Sequence, residues 1–281
     1  MNRLPPEQRA KVLQLLCEGM SIRAITRTLN VGKNTVARLL VTAGAACMDY
    51  QDEHLRELNC RRIEVDELWA FVGSKEKNTP VARRGERGDV WTWVALCADS
   101  KLIPAWFIGD RNAGAAHAFM KDLASRLANR VQLTSDGHKP YLEAVEGAFG
   151  FDVDFAQLVK IYGPSPEGQR RYSPAECIGA KKQPVQGNPD PAKISTSYAE
   201  RNNGIIRQHC KRYARLTLAF SKKMENHIAA FALHTMYHNF VKIHGAHKVT
   251  PAIAAGVTDK LWEMRDLVSM IEAWETKQAI S

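Results

Sequence analysis

The sequence predicts an α/β core with a mixed sheet, preceded by a small all-α unit and followed by C-terminal helices. Three observations predict it. Before residue 60 the apolar residues recur at helical spacing. From Arg62 to Ile161 runs of strand formers alternate with helical stretches. Beyond Lys222 helical spacing returns. The expected units are residues 1–58, 59–220 and 221–281.

Residues 6–17 place Ala10, Leu13, Leu16 and Cys17 on one helical face. Gly19 stops that helix, and Ser21 suits the N-cap of the next. Ile22, Ile25 and Leu29 give the second helix its buried stripe, and Asn30-Val31-Gly32 makes a turn. Lys33 to Leu40 reads as a third helix with Val36, Leu39 and Leu40 inward. Two short helices joined by a tight turn form a helix-turn-helix pattern. Its exposed Lys33, Asn34, Thr35 and Arg38 are candidate DNA-binding residues. Polar residues opening a recognition helix reach base edges and phosphates in the major groove. A three-helix bundle that only packs on the next unit has the same pattern. Residues 42–62 read as a connector with one short helix.

Strand formers run from Ile63 to Val72, through residues 90–97, and through residues 102–108 after an Asp99-Ser100 turn. A helix from Ala113 to Leu127 follows, then a strand from Val131 to Thr134 ending at Ser135-Asp136-Gly137. A helix from Pro140 to Phe149 and a fifth strand near Val153 to Ile161 complete the order. An antiparallel meander, then helix, strand, helix, strand, is the ribonuclease-H-like order. In open α/β sheets ligands gather at the carboxyl ends of strands. Asp136 sits at such an end and Asp66 lies on the first strand, so in this topology the two carboxylates converge on one metal site. The bland readings are an edge charge or buried ion pair for Asp66, and a common Asp-Gly turn for Asp136. Glu64 and Glu67 compete with Asp66; strand alternation is read as placing both on the opposite face.

Residues 161–197 hold half of the 12 prolines and read as a loop-rich insertion. Helix resumes near Ser197, which suits its cap, with Glu200 in the first turn. Asn203, Gly204, Arg207 and Lys211 follow on the same face. Glu200 is therefore a candidate metal ligand. Asn203, Arg207 and Lys211, with Arg212 and Arg215 in the basic run beyond, are candidate phosphate-gripping residues. A capping-region glutamate on an exposed basic helix is the plain alternative. A helix from Lys222 to about Val241 carries His234 and His238 four apart, but no acid or cysteine near them in sequence completes a zinc site. They read as packing or surface residues. Thr250-Pro251 caps a short segment, and a helix from about Leu261 to Trp274 closes the chain.

The composition is ordinary globular, with 45% hydrophobic and 25% charged residues, which excludes wholesale disorder and fibrous repeats. No apolar run is long enough to span a membrane, and the polar N-terminus lacks a signal-peptide core. The six cysteines form no C-x-x-C pair, so a reducing cytoplasm is the expected location. The net charge of +9 is uneven. Residues 1–62 carry +4, residues 63–159 carry −3, residues 160–223 carry +9 and residues 224–281 carry −1. Acids that hold metal beside bases that hold phosphate fit this partition.

Five ordered segments now resemble a known family. RIEVDELWAFVG (62–73), TSDGHKPY (134–141), TSYAER (196–201), RLTLAFSK (215–222) and TPAIAAGV (250–257) are similar to insertion-sequence transposases of the IS-one type, which carry a DDE catalytic core. The resemblance covers about 210 residues from Cys60 onward. It implies that Asp66, Asp136 and Glu200, spaced by 70 and 64 residues, are the catalytic and metal-binding acids. Mg²⁺, with Mn²⁺ as the substitute and two ions as the expected number, suits such hard oxygen donors. The implied chemistry is attack of water at a transposon end, then in-line attack of the freed 3′-OH on target DNA. The implied partners are double-stranded DNA at both transposon ends and target, and further copies of the chain during synapsis; no membrane is implied, and a nucleoid-associated location is. The family's cysteine zinc finger is missing here. Lys193 and Thr196 stand where related enzymes place Tyr and Arg before the Glu, whereas the basic residue seven after it is present as Arg207. A non-catalytic helix-turn-helix regulator and a nuclease or integrase of another mobile element are the alternatives.

Overall fold

A computed structural model describes residues 3–163 and 176–280. Helix α1 (Pro6–Cys17) opens with proline in its first turn. In α2 (Ile22–Leu29) the Ser21 hydroxyl accepts from the Ala24 N–H at 3.2 Å, and Asn30 closes the helix in the left-handed conformation, φ +52°.

Helix α3 (Lys33–His54) runs 22 residues, so the expected connector is mostly helix. Its second half has no proline and continues the buried stripe through Ala43, Ala46 and Cys47, which rewards helix over loop. Gly44 faces α7 (Met224–Met236), where a Cβ would stand 2.4 Å from the Ala229 Cα. Only glycine permits that approach.

Six strands form one sheet in the order β3-β2-β1-β4-β5-β6. They are β1 (Arg62–Val72), β2 (Gly88–Cys97), β3 (Trp106–Gly109), β4 (Val131–Asp136), β5 (Val153–Tyr162) and β6 (Cys177–Gln186). The first three form an antiparallel meander, and β1, β4 and β5 are parallel neighbours. β3 begins later than the sequence predicts. Pro104 has no N–H for a ladder, although the Ala95 and Cys97 N–H groups still reach the carbonyls of Ala105 and Leu102. β6 is a correction to the loop reading of 161–197: it pairs antiparallel with β5 through bulges. Residues 164–175 of that run lie outside the described residues.

Helices α4 (Ala113–Arg126) and α5 (Pro140–Phe149) make the crossovers from β3 to β4 and from β4 to β5. They seal one face around Trp93, whose ring lies 6.1 Å from Phe119 and 5.5 Å from Tyr141. The other face is covered by α6 (Ser197–His209) and α7, with Trp106 edge-on to Phe231 at 5.1 Å. A π-helical turn (Tyr237–Val241), α8 (Pro251–Ala254) and α9 (Met264–Ile280) follow. α9 returns to the N-terminal helices. Arg9, 3% exposed, pairs with Glu272 at 3.0 Å and Glu275 at 3.1 Å, and the Trp274 indole donates to Asp49 at 2.7 Å. Among the described residues no helix is long and apolar enough to cross a membrane.

Candidate functional site

β1 and β4 run parallel with Glu64 opposite Thr134. Carried two residues further, that register sets Asp136 abreast of Asp66 at the carboxyl end of β4, where ligands gather in such sheets. Carboxylate oxygens of Asp66, Glu67 and Asp136 all lie within 4.8 Å of one another. Among the described residues this is the one group of three or more His, Cys, Asp or Glu close enough to hold a metal ion.

Each acid is held by a different device. Asp66 accepts from the Glu67 N–H at 2.9 Å and from the Asn203 amide at 2.8 Å. Asp136 turns the chain by accepting from the His138 N–H at 2.9 Å, so the Asp-Gly turn and the site share one residue. Glu67, whose side chain is 2% exposed, pairs with Arg111 at 3.0 Å, and Arg111 also lies 3.8 Å from Asp136. The Arg111 guanidinium is braced by the Trp91 ring at 4.9 Å.

Burial, with Asp136 and Glu200 nearby, pushes the Asp66 carboxyl up to about 6. Burial and Asp136 push Glu67 up to about 7. The buried Tyr141 hydroxyl lies against the Glu67 carboxylate and eases that rise. Carboxylate oxygens crowded this closely are a donor set that suits a hard divalent cation. The residues present therefore fit Mg²⁺ or Mn²⁺.

Glu200 stands on α6, close enough to raise Asp66, but it is not one of the clustered three. Its carboxylate pairs with the Lys160 ammonium and accepts from the Thr196 hydroxyl at 2.5 Å. Ser197 does not cap α6. The cap is Glu64, whose Oε2 accepts from the Tyr198 N–H at 2.8 Å and the Ala199 N–H at 3.0 Å. A carboxylate at a helix N-terminus satisfies orphan donors and meets the positive end of the helix dipole.

The placing of Glu64 opposite Asp66 is thus corrected, whereas Glu67 does lie on the other face, directly across from Trp93. Residues two apart share a strand face, so Glu64 and Asp66 both meet α6. On that other face Glu67 sits with Arg111 and Tyr141, and a carboxylate oxygen of it still comes within 4.8 Å of both aspartates. Sequence alternation held the signal for Glu64. Nothing in the sequence singled out Arg111 or Lys160.

The phosphate-gripping candidates divide. Asn203 is 4% exposed and donates to Asp66, so it serves the acid and not a phosphate. Arg207 is half-buried, and burial with Arg215 nearby pulls its pKa below the ordinary value. Lys211 does not continue the helical face, because α6 ends at His209 and Lys211–Tyr213 form a 3₁₀ turn. Lys211 and Arg212 are part-exposed and Arg215 is exposed. In the N-terminal helices Lys33, Asn34 and Arg38 are exposed and Thr35 is partly so, all on α3. His234 and His238 are buried and lie 6.3 Å apart by ring centroid, His238 bonding the Lys101 carbonyl at 2.9 Å.

Residues 4–41 match the homeodomain-like domain family. The chain therefore carries such a domain at α1–α3. No curated protein sequence matches the chain significantly. Among solved structures, a piggyBac transposase synaptic complex with hairpin DNA is similar at 11% identity and a TM-score of 0.43, over 100% of this chain and 74% of that one. A likeness at that TM-score carries no argument about fold or function.

Proposed function

We propose that the chain is a DDE transposase of the IS-one type, which binds the ends of an insertion sequence and catalyses metal-dependent cleavage and strand transfer of double-stranded DNA. The observation that carries this reading is the meeting of Asp66 and Asp136 on adjacent parallel strands, with the helix bearing Glu200 fastened onto Asp66 through Asn203. The strand order supports a ribonuclease-H-like core over residues 59–220, with the homeodomain-like unit before it and helices after it.

In this reading Asp66 and Asp136 hold Mg²⁺ or Mn²⁺, with Glu200 as the third acid. Held there, the metal would supply positive charge to activate the attacking water and steady the leaving oxygen. Asn203 orients Asp66, and Glu64 fixes the start of α6 and so the position of Glu200. Lys33, Asn34, Thr35 and Arg38 contact the transposon end from the third helix, as homeodomain-like units do. Arg207, Lys211, Arg212 and Arg215 grip phosphates near the acids. Synapsis of two ends calls for more than one copy of the chain.

The test is a strand-transfer assay on candidate terminal repeats with and without Mg²⁺. Asp66→Ala, Asp136→Ala and Glu200→Ala each abolish cleavage and spare DNA binding. Retained cleavage in the three variants refutes the assignment, and metal-independent DNA binding as the only activity favours a regulator.

A further inference from the structure

A cavity of about 610 Å³ lies away from the acids, between the N-terminal helices and the basic run 209–222. Leu16, Met20 and Leu40 form one wall. Phe220, Arg212, Lys222 and the loop residue Leu218 line the other side, which is aromatic and cationic. His234 closes one side. It is 3% exposed, yet both ring nitrogens lack a partner. Burial pulls its pKa well below the ordinary value, so the ring is neutral and offers one donor and one acceptor. Unpaired polar atoms this deeply buried are costly unless something meets them.

At the rim stands the loop 214–220. Tyr213 pins its start to the sheet through a 2.7 Å bond to the Thr92 hydroxyl. Ser221 pins its end, accepting from the Gly73 N–H at 2.8 Å. Between these anchors Leu216 and Leu218 are 92% and 90% exposed, and Leu216 is held at φ +55°. Bare leucines on a firmly anchored loop, flanked by Arg212, Arg215 and Lys222, do not serve the fold. Apolar wedges flanked by bases are what proteins insert between base steps of DNA.

We propose that this cavity receives a single nucleotide turned out of duplex DNA, and that Leu216 fills the gap it leaves in the stack. This rests on the DNA-binding reading given above. The cavity lies in the usual size range of small-ligand sites. The Phe220 ring, held by Phe71 at 4.6 Å and capped by the Lys222 ammonium at 3.1 Å, gives an apolar edge; Arg212 and Lys222 offer charge for the phosphate, and His234 offers hydrogen bonds to a base edge. An already unpaired base is the cheapest to turn out.

The experiment uses the full chain and two short duplexes of one sequence, one fully paired and one carrying a single unpaired 2-aminopurine. The expected result is about tenfold tighter binding of the second duplex, with the 2-aminopurine shielded from acrylamide quenching. Leu216→Ser removes the preference at an unchanged melting temperature. Met20→Trp, which narrows the cavity, removes the shielding. Equal affinity for the two duplexes, or a base that acrylamide reaches freely, overturns the proposal. Failure to bind either duplex overturns the DNA reading itself, and this proposal with it.

Discussion

Replacing Asp66 by Asn should make the protein more stable while destroying its activity. Burial is the first cause of the rise in the Asp66 carboxyl from its ordinary 3.8 to about 6, and Asp136 and Glu200 add to it. A rise of about two units costs the folded, ionised form about 3 kcal/mol at about 1.4 kcal/mol per unit. The sign follows from the direction. A carboxyl raised on folding contributes its full stability below the unfolded value and loses it as pH passes the folded one. The cost is therefore absent below pH 3.8 and complete above about pH 6. Asn resembles the protonated acid. Its oxygen keeps the Glu67 N–H bond, and its amide meets Asn203 once that side chain flips to present Oδ1, which is buried without a partner. In a chain of this size about 3 kcal/mol raises the melting temperature by about 6 °C. Thermal unfolding in EDTA at pH 8 and at pH 3.5 measures it. The gain should appear at pH 8 and vanish at pH 3.5, and Mg²⁺ should stabilise the parent more than the variant. A variant that melts at or below the parent temperature at pH 8 refutes the view that these acids are held under electrostatic strain.

Arg111→Gln removes the cation 3.8 Å from Asp136 and should tighten Mg²⁺ binding about tenfold, read by calorimetry. Unchanged affinity would show that the guanidinium does not compete with the metal. Glu64→Ala leaves two N–H groups at the start of α6 unsatisfied; it should cost about 2 kcal/mol and lower cleavage more than DNA binding. His227 and His238 are pulled by burial from 6.5 to about 4, so the unfolded chain binds more protons between those values and stability falls as pH drops through that window. Asp66 and Glu67 act in the opposite sense, so acid unfolding of Asp66→Asn should be steeper than that of the parent, as circular dichroism would show.

What the sequence made legible follows from the range of the interactions. Ser21 and Thr250 cap their helices through residues three positions on, and such signals lie within one local stretch. β6 could not be read, because it is held by pairing with β5 while its own composition is loop-like. The length of α3 was likewise set from outside: Gly44, a weak helix residue, is stabilised there by the backbone of α7 185 residues away.

The third acid is where local reading fails most instructively. Spacing along α6 placed Glu200 with Asn203 and Arg207 on one face, and the helix does turn that face to Asp66. Spacing says nothing about Lys160, which arrives from β5 two residues past the partner of Asp136 and takes the Glu200 carboxylate. It says nothing about Arg111 either, which neutralises Glu67 within the cluster. Glu67 is the poorer candidate despite its place there. Its side chain is nearly closed to solvent, whereas Glu200 is 38% exposed and Lys160 30%. A part-exposed ion pair exchanges partners at little cost. An entering phosphate can draw off the Lys160 ammonium, and the carboxylate it releases is already on the face that looks at Asp66.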